Sequence, residues 1–208
     1  MPIQQLQPEF IRPIYSGTWA GKPSAVGNAG KEIILTDMGR SRWYSDGTYW
    51  RPVGGMMAFP VNCQGVSSSN PALTAVTVPN MPLLPLKEWL STPGCSIETR
   101  ARFHRTSPAN TQNMNVILDG ATVRMLQTQG ANTNQAVYAY GTIANYSATT
   151  CIRSISGELI TGFIGADLTV ALSALTDGLV APVLSIQPGA TDGSETVNLG
   201  ALCFTLRM

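Results

Sequence analysis

The stretch CSIETRARFHR, at 95–105, decides the fold. Within it Ile97, Thr99, Ala101 and Phe103 alternate strictly with Glu98, Arg100, Arg102 and His104. A period of two puts the first set on one face of an extended strand and the second on the other, whereas a helix would scatter both around its axis. One face suits a core and the other suits water. The neighbouring segments repeat the pattern at short, regular spacing: TAVTV (74–78), MPLLPL (81–86), MNVILDG (114–120), ATVRMLQT (121–128), QAVYAYGTI (135–143), TTCIRSI (149–155), APVLSIQP (181–188) and ETVNLGALCFTLRM (195–208). Short strands in series with turn residues between them, Asp119-Gly120 among them, point to a β-sandwich or jelly roll.

Gly and Pro, 20 and 14 of them, punctuate nearly everything and exclude long helices. The longest stretch free of both, 142–156, is rich in β-branched residues and reads as strand, turn, strand. Two short helices remain open. LPLKEWLS at 84–91 is one; ADLTVALSALTD at 166–177 is the other, and it fits a strand equally well.

Composition agrees with a β-rich chain that is not ionic on its surface. Asp, Glu, Lys and Arg make up 12% of 208 residues, while Ser, Thr, Asn and Gln number 57. The formal charge of +1 comes from scattered residues, which argues against binding nucleic acid, where clustered cations must neutralise phosphates. MPIQQLQPEF lacks the basic and apolar regions of a secretory signal, and no run is apolar for long enough to span a membrane. Cys63, Cys95, Cys151 and Cys203 form no C-x-x-C pair, and His104 is the only histidine, so no metal site is expected; the thiols read as reduced, small hydrophobes.

The chain divides by pattern into four parts. Residues 1–30 form an extended arm spaced by Pro and Gly, too interrupted to build its own core, yet bearing Phe10, Ile11, Ile14, Tyr15 and Trp19. These anchors either pack on the chain's own body or dock on a partner subunit. Residues 31–60 form a small β-hairpin module, in which Asp46-Gly47 lies between Trp43-Tyr44 and Tyr49-Trp50 and signals a tight turn. Residues 61–80 are a linker and lead-in strand, and 81–208 are the sandwich.

No chemistry announces itself. There is no G-x-S-x-G, no phosphate-binding loop and no H-x-x-x-H, so the reading is non-enzymatic, with no catalytic residues and no cofactor. Tyr138, Tyr140 and Tyr146, around a hairpin expected near Gly141, are the candidates for surface recognition, since exposed aromatic rings anchor interfaces and stack on sugars.

Asp37 and Gly39, then Ser45-Asp46-Gly47-Thr48 and Trp50-Arg51-Pro52-Val53-Gly54-Gly55, resemble the "tDxG … SDGTxWRPVGG" module near the front of many tailed-bacteriophage structural proteins. The remainder, from a Leu84–Leu86 lead-in to ETVNLGALCFTLRM, is similar to the jelly-roll knobs of phage fibres. The resemblance implies an all-β chain ending in a jelly-roll, TNF-like sandwich that forms a homotrimer. It further implies a short projection on the virion surface, assembled in the host cytoplasm and docked through the arm on capsid, neck or tail proteins. Such a projection binds a host-surface glycan or protein, or decorates the particle. A capsid cement and a lectin-like carbohydrate-binding module are the alternatives. Nucleic-acid binding and membrane insertion are not expected.

Overall fold

The computed structural model describes residues 13–70, 72, 74–105, 113–119, 124–128, 136–157, 168–187 and 196–208. Among the described residues the chain is all-β apart from one short helix and two 3-10 turns, and it divides into two compact units, residues 1–55 and 56–208.

In the first unit β1 (Tyr15–Gly17) pairs in parallel with β2 (Glu32–Leu35), which pairs antiparallel with β3 (Ser41–Ser45), itself antiparallel to β4 (Trp50–Pro52). The alternation of β2 and β3 sends Ile33, Leu35 and Trp43 inward, where they join Trp19, Met38 and Trp50. Trp19 meets Trp43 edge to face, with ring centroids 5.3 Å apart. Its backbone N–H donates to both carboxylate oxygens of Asp37, at 3.0 and 2.9 Å. Residues 13–30, which the Pro and Gly spacing assigns to an arm, thus supply a strand and a core tryptophan to the same unit as the hairpin. A parallel partner 18 residues away, Ile33 for Tyr15, compensates for the weak local pattern.

The motif residues bond the hairpin together. Gly47, with φ +96°, holds the first central position of the turn, a conformation that costs glycine nothing. Asp46 accepts the N–H groups of Thr48 and Tyr49 at 2.8 and 2.7 Å and the Arg51 Nε at 2.7 Å. Partial burial pushes the Asp46 carboxyl up, but the hydrogen bonds from Tyr49, Arg51 and Thr48 outweigh it and hold the group below its ordinary value. Ser45 Oγ donates to the Ala25 carbonyl at 2.7 Å, and Trp50 Nε1 donates to the Pro23 carbonyl at 2.8 Å.

The second unit is a β-sandwich. Its larger sheet has the order β13-β12-β11-β8-β15-β5, formed by β5 (Met56–Pro60), β8 (Ser96–Arg105), β11 (Ala136–Asn145), β12 (Thr150–Gly157), β13 (Leu168–Ala171) and β15 (Val197–Arg207), with β6 (Ser67–Ser68) also on β15. The smaller sheet runs β10-β9-β14-β7, formed by β7 (Thr74–Val76), β9 (Asn113–Ile117), β10 (Arg124–Thr128) and β14 (Val183–Gln187). β5 lies within the span read as the hairpin module, yet it pairs with β15, Phe204 opposite Phe59.

On the core face the period-two reading of β8 holds; on the face expected to meet water, Arg100 is exposed, Arg102 and His104 are half-buried and Glu98 is buried. Ile97, Thr99, Ala101 and Phe103 are buried, with Leu199, Leu202, Phe204 and Leu206 of β15 and Ile143 of β11 beside them, and Val116, Leu184 and Ile186 of the smaller sheet are buried as well. The open segment at 166–177 contributes strand β13 followed by a 3-10 turn at Leu172–Ala174. The segment at 84–91 contributes helix α1 (Leu86–Leu90), whose Leu86, Trp89 and Leu90 are buried and whose Trp89 Nε1 donates to the Ser96 carbonyl at 2.9 Å. β11 ends at Asn145 and β12 begins at Thr150, so the strand, turn, strand reading of 142–156 also holds. The hairpin expected near Gly141 is absent. Gly141 is a buried mid-strand residue opposite Thr99, and the turn falls at 146–149, where Ser147 Oγ accepts the Thr149 and Thr150 N–H groups. All four cysteines are free thiols, and burial pushes the Cys151 thiol up to about 11.

Candidate functional site, a basic aromatic groove on the larger sheet

Three central strands and one loop build a groove on the polar face of β8. Pairing of β8 with β11 sets Arg100 opposite Tyr140 and Arg102 opposite Tyr138. Cross-strand neighbours on one face touch, and each guanidinium lies over its tyrosine, Arg100 at 5.6 Å and Arg102 at 5.2 Å from the ring centroid. On the other side of β8 the partners are small: Cys203 stands opposite Arg100 and Ala201 opposite Arg102.

Between Leu199 and Ala201 the register shifts, leaving Gly200 as the extra residue of a bulge. A Cβ at Gly200 would lie 2.9 Å from His104 Cδ2, so only glycine lets the imidazole lie across the strand here. His104, the sole histidine, thereby packs on Gly200, which lines the groove.

The remaining wall is the segment read as a polar linker. The Val61 N–H donates to the Leu202 carbonyl and the Leu199 N–H donates to the Val66 carbonyl, both at 2.9 Å, so residues 61–66 arch away from β15 with both ends pinned. Asn62 Oδ1 accepts the Gln64 N–H at 3.1 Å and shapes the crest of the arch. Burial pushes the Cys63 thiol up, against a weaker opposing hydrogen bond from the Leu202 backbone. The open groove so formed has a volume of about 1160 Å³.

Its charge is unbalanced. No Asp or Glu is among its lining residues. Arg100 is held by Glu98 at 3.3 Å, and Glu98 also takes Arg207 at 2.9 Å. Arg102 has no such partner among the described residues, and its Nε is buried without a hydrogen-bond acceptor. Buried donors are nearly always satisfied, so this nitrogen is an exception closed off from solvent, while the residue as a whole is half-buried and lines the groove.

Of the sequence candidates, the fold brings Tyr138 and Tyr140 together in this groove and leaves Tyr146 apart, 69% exposed at the turn after β11. Phe10 and Ile11 lie outside the described residues. Ile14 is exposed, Tyr15 donates its hydroxyl to the Thr18 carbonyl at 3.0 Å, and Trp19, 4% exposed, is committed to its own unit. Sequence reasoning missed Arg100, Arg102 and the wall at 61–66. The register of β8 on β11 is the information that joins them, and alternation within each strand does not supply it. Among the described residues no cluster of three or more His, Cys, Asp or Glu side chains could hold a metal ion.

No family model matches the chain, and no curated protein matches it. Solved structures with a related outline include lectin I-B4 from Griffonia simplicifolia in its metal-free form, at 10% identity and a TM-score of 0.38, covering 74% of this chain and 94% of that one. Lectin I from Ulex europaeus, in complex with the methyl glycoside of α-L-fucose, gives 11% and 0.32, with 74% and 99% covered. A xylan β-1,4-xylosidase from Bacillus halodurans gives 10% and 0.28, with 81% and 46% covered.

Proposed function

We propose that the chain is a non-enzymatic surface projection of a tailed-bacteriophage particle, docked through its N-terminal region and presenting its β-sandwich to the host surface. The observation that carries this reading is the behaviour of the SDGTxWRPVGG-like segment. It folds with residues 13–44 into a compact unit of its own, ahead of a larger sandwich, which is the order of parts that the phage resemblance implies.

Trimer formation belongs to the same proposal. Among the described residues β13 and β5 end the larger sheet and β10 and β7 the smaller one, and packing of copies is one way of covering such edges. Light scattering of the purified full-length chain should give about 66 kDa, three times 22.1 kDa. Antibody against the chain should decorate particles of the phage that encodes it. Purified particles that contain none of the chain by mass spectrometry would overturn the proposal.

A second reading, a lectin-like module, is favoured by the groove, where tyrosine rings and guanidinium groups share one open surface. It predicts a 22.1 kDa monomer that binds saccharide and is absent from particles.

A further inference from the structure

We propose that the groove between residues 61–66 and the β8/β11 face is a binding site for an anionic saccharide, with Arg102 receiving its carboxylate or phosphate and Tyr138 packing against a sugar ring. That this saccharide belongs to a host cell surface rests on the projection reading above; the choice of ligand class rests on the groove alone.

Four features select that class. Of the groove's two arginines, Arg102 is the one without an acidic partner among the described residues, and its half-buried guanidinium lines the groove with N–H groups that can donate two parallel hydrogen bonds to an oxyanion. Tyr138 remains 44% exposed beside it, an apolar ring of the kind that covers the C–H face of a sugar. Asn62 and Gln64, both exposed on the wall, offer amide groups to hydroxyls. The volume of about 1160 Å³ exceeds that of pockets for single drug-sized ligands, roughly 300–1,000 Å³, and the groove lies along a sheet face, so several linked rings fit better than one.

A single-stranded nucleic acid also combines phosphate with stackable rings. It needs a track of cations, one for each phosphate, and this groove offers one unpaired guanidinium in a chain of net charge +1. The saccharide is therefore the better match.

The test is calorimetric titration of the full-length chain with trigalacturonate, with the carboxyl-reduced neutral trimer, with a phosphorylated mannose trisaccharide and with a short oligothymidylate. At least one anionic saccharide should bind more tightly than the neutral trimer by about tenfold or more, and which one distinguishes carboxylate from phosphate. Arg102→Gln should remove that advantage, Arg102→Lys should restore only part of it because the fork is lost, and Tyr138→Phe should bind like the parent while Tyr138→Ala weakens binding severalfold. Should Arg102→Gln fail to fold, the exposed Tyr138 pair carries the test. Equal affinity for charged and neutral trimers, tighter binding of the oligothymidylate, unchanged affinity in Arg102→Gln or Tyr138→Ala, or no heat at about 10 mM ligand would each overturn the site. A change of oligomeric mass in Arg102→Gln, with no saccharide bound by the parent, would instead make this face a contact between copies. Particles that carry a chain unable to bind saccharide would sink this inference and leave the projection reading standing. Saccharide binding by a chain absent from particles would do the reverse.

Discussion

Replacing Thr99 by valine should make the protein more stable. Thr99 lies on the core face of β8, fully buried, between Gly141 of β11 and Phe204 of β15, and its Oγ1 has no hydrogen-bond partner. A hydroxyl stripped of water with nothing to bond costs about 1–3 kcal/mol, and valine keeps the branched shape while removing the polar atom. Taking the lower end, because a backbone carbonyl can relax toward the hydroxyl, the gain is about 1 kcal/mol, or roughly 2–4 °C in Tm for a chain of this size. The assay is a urea titration followed by far-ultraviolet circular dichroism, with Thr99→Val displacing the midpoint and leaving the slope unchanged. Thr99→Ser keeps the hydroxyl and deletes the methyl, so it should destabilise by about 1 kcal/mol. Opposite signs for the two variants are the signature. If Thr99→Val loses about 0.5 kcal/mol or more, the hydroxyl is satisfied in the folded chain and the argument from burial fails.

Two further outcomes are expected. Asp46→Asn removes a carboxylate whose hydrogen bonds hold it below its ordinary value, so the parent should be more stable than the variant by about 1 kcal/mol at pH 7. That advantage is complete above the unfolded value of about 3.9 and is lost as pH falls through the lower folded value, so acid titrations of the two proteins should converge; a constant gap would exclude the carboxylate as its source. Gly200→Ala should cost about 1–2 kcal/mol by forcing the His104 ring from a contact that would shrink to 2.9 Å, and His104→Ala in the same chain should recover most of it. Additive losses in that double variant, measured by thermal denaturation, would show that the two residues do not share the space.

Local sequence carried the sandwich further than it carried the site. β8 was legible because Ile97, Ala101 and Phe103 alternate with Glu98, Arg100, Arg102 and His104, with Thr99 the one polar residue on the core face, and the hairpin at Asp46-Gly47 because a turn needs only neighbours. Residues 13–30 misled for the opposite reason. Their Pro and Gly spacing describes the local chain correctly, but Trp19 finds Trp43 and Asp37 through pairing with β2, a contact that no window of nearby residues contains. Gly141 read as a turn, yet it is the small buried residue that β11 places opposite Thr99. The groove was half visible. Tyr138 and Tyr140 stood out as aromatic, but Arg100 and Arg102 looked like an ordinary solvated face until the register set each over a ring, and residues 61–66 looked like a linker because their polarity serves an arch rather than a strand.

The most recognisable words of this chain are spent on its own grammar. Ser45, Asp46, Gly47, Trp50 and Arg51 are occupied in closing one small hairpin and its floor. A segment so occupied works as a folding cassette, its polar groups turned to its own hydrogen bonds. Chains that share it should share the cassette's shape while differing freely in what they grip, so comparison of such chains will find their specificities on faces the signature never mentions.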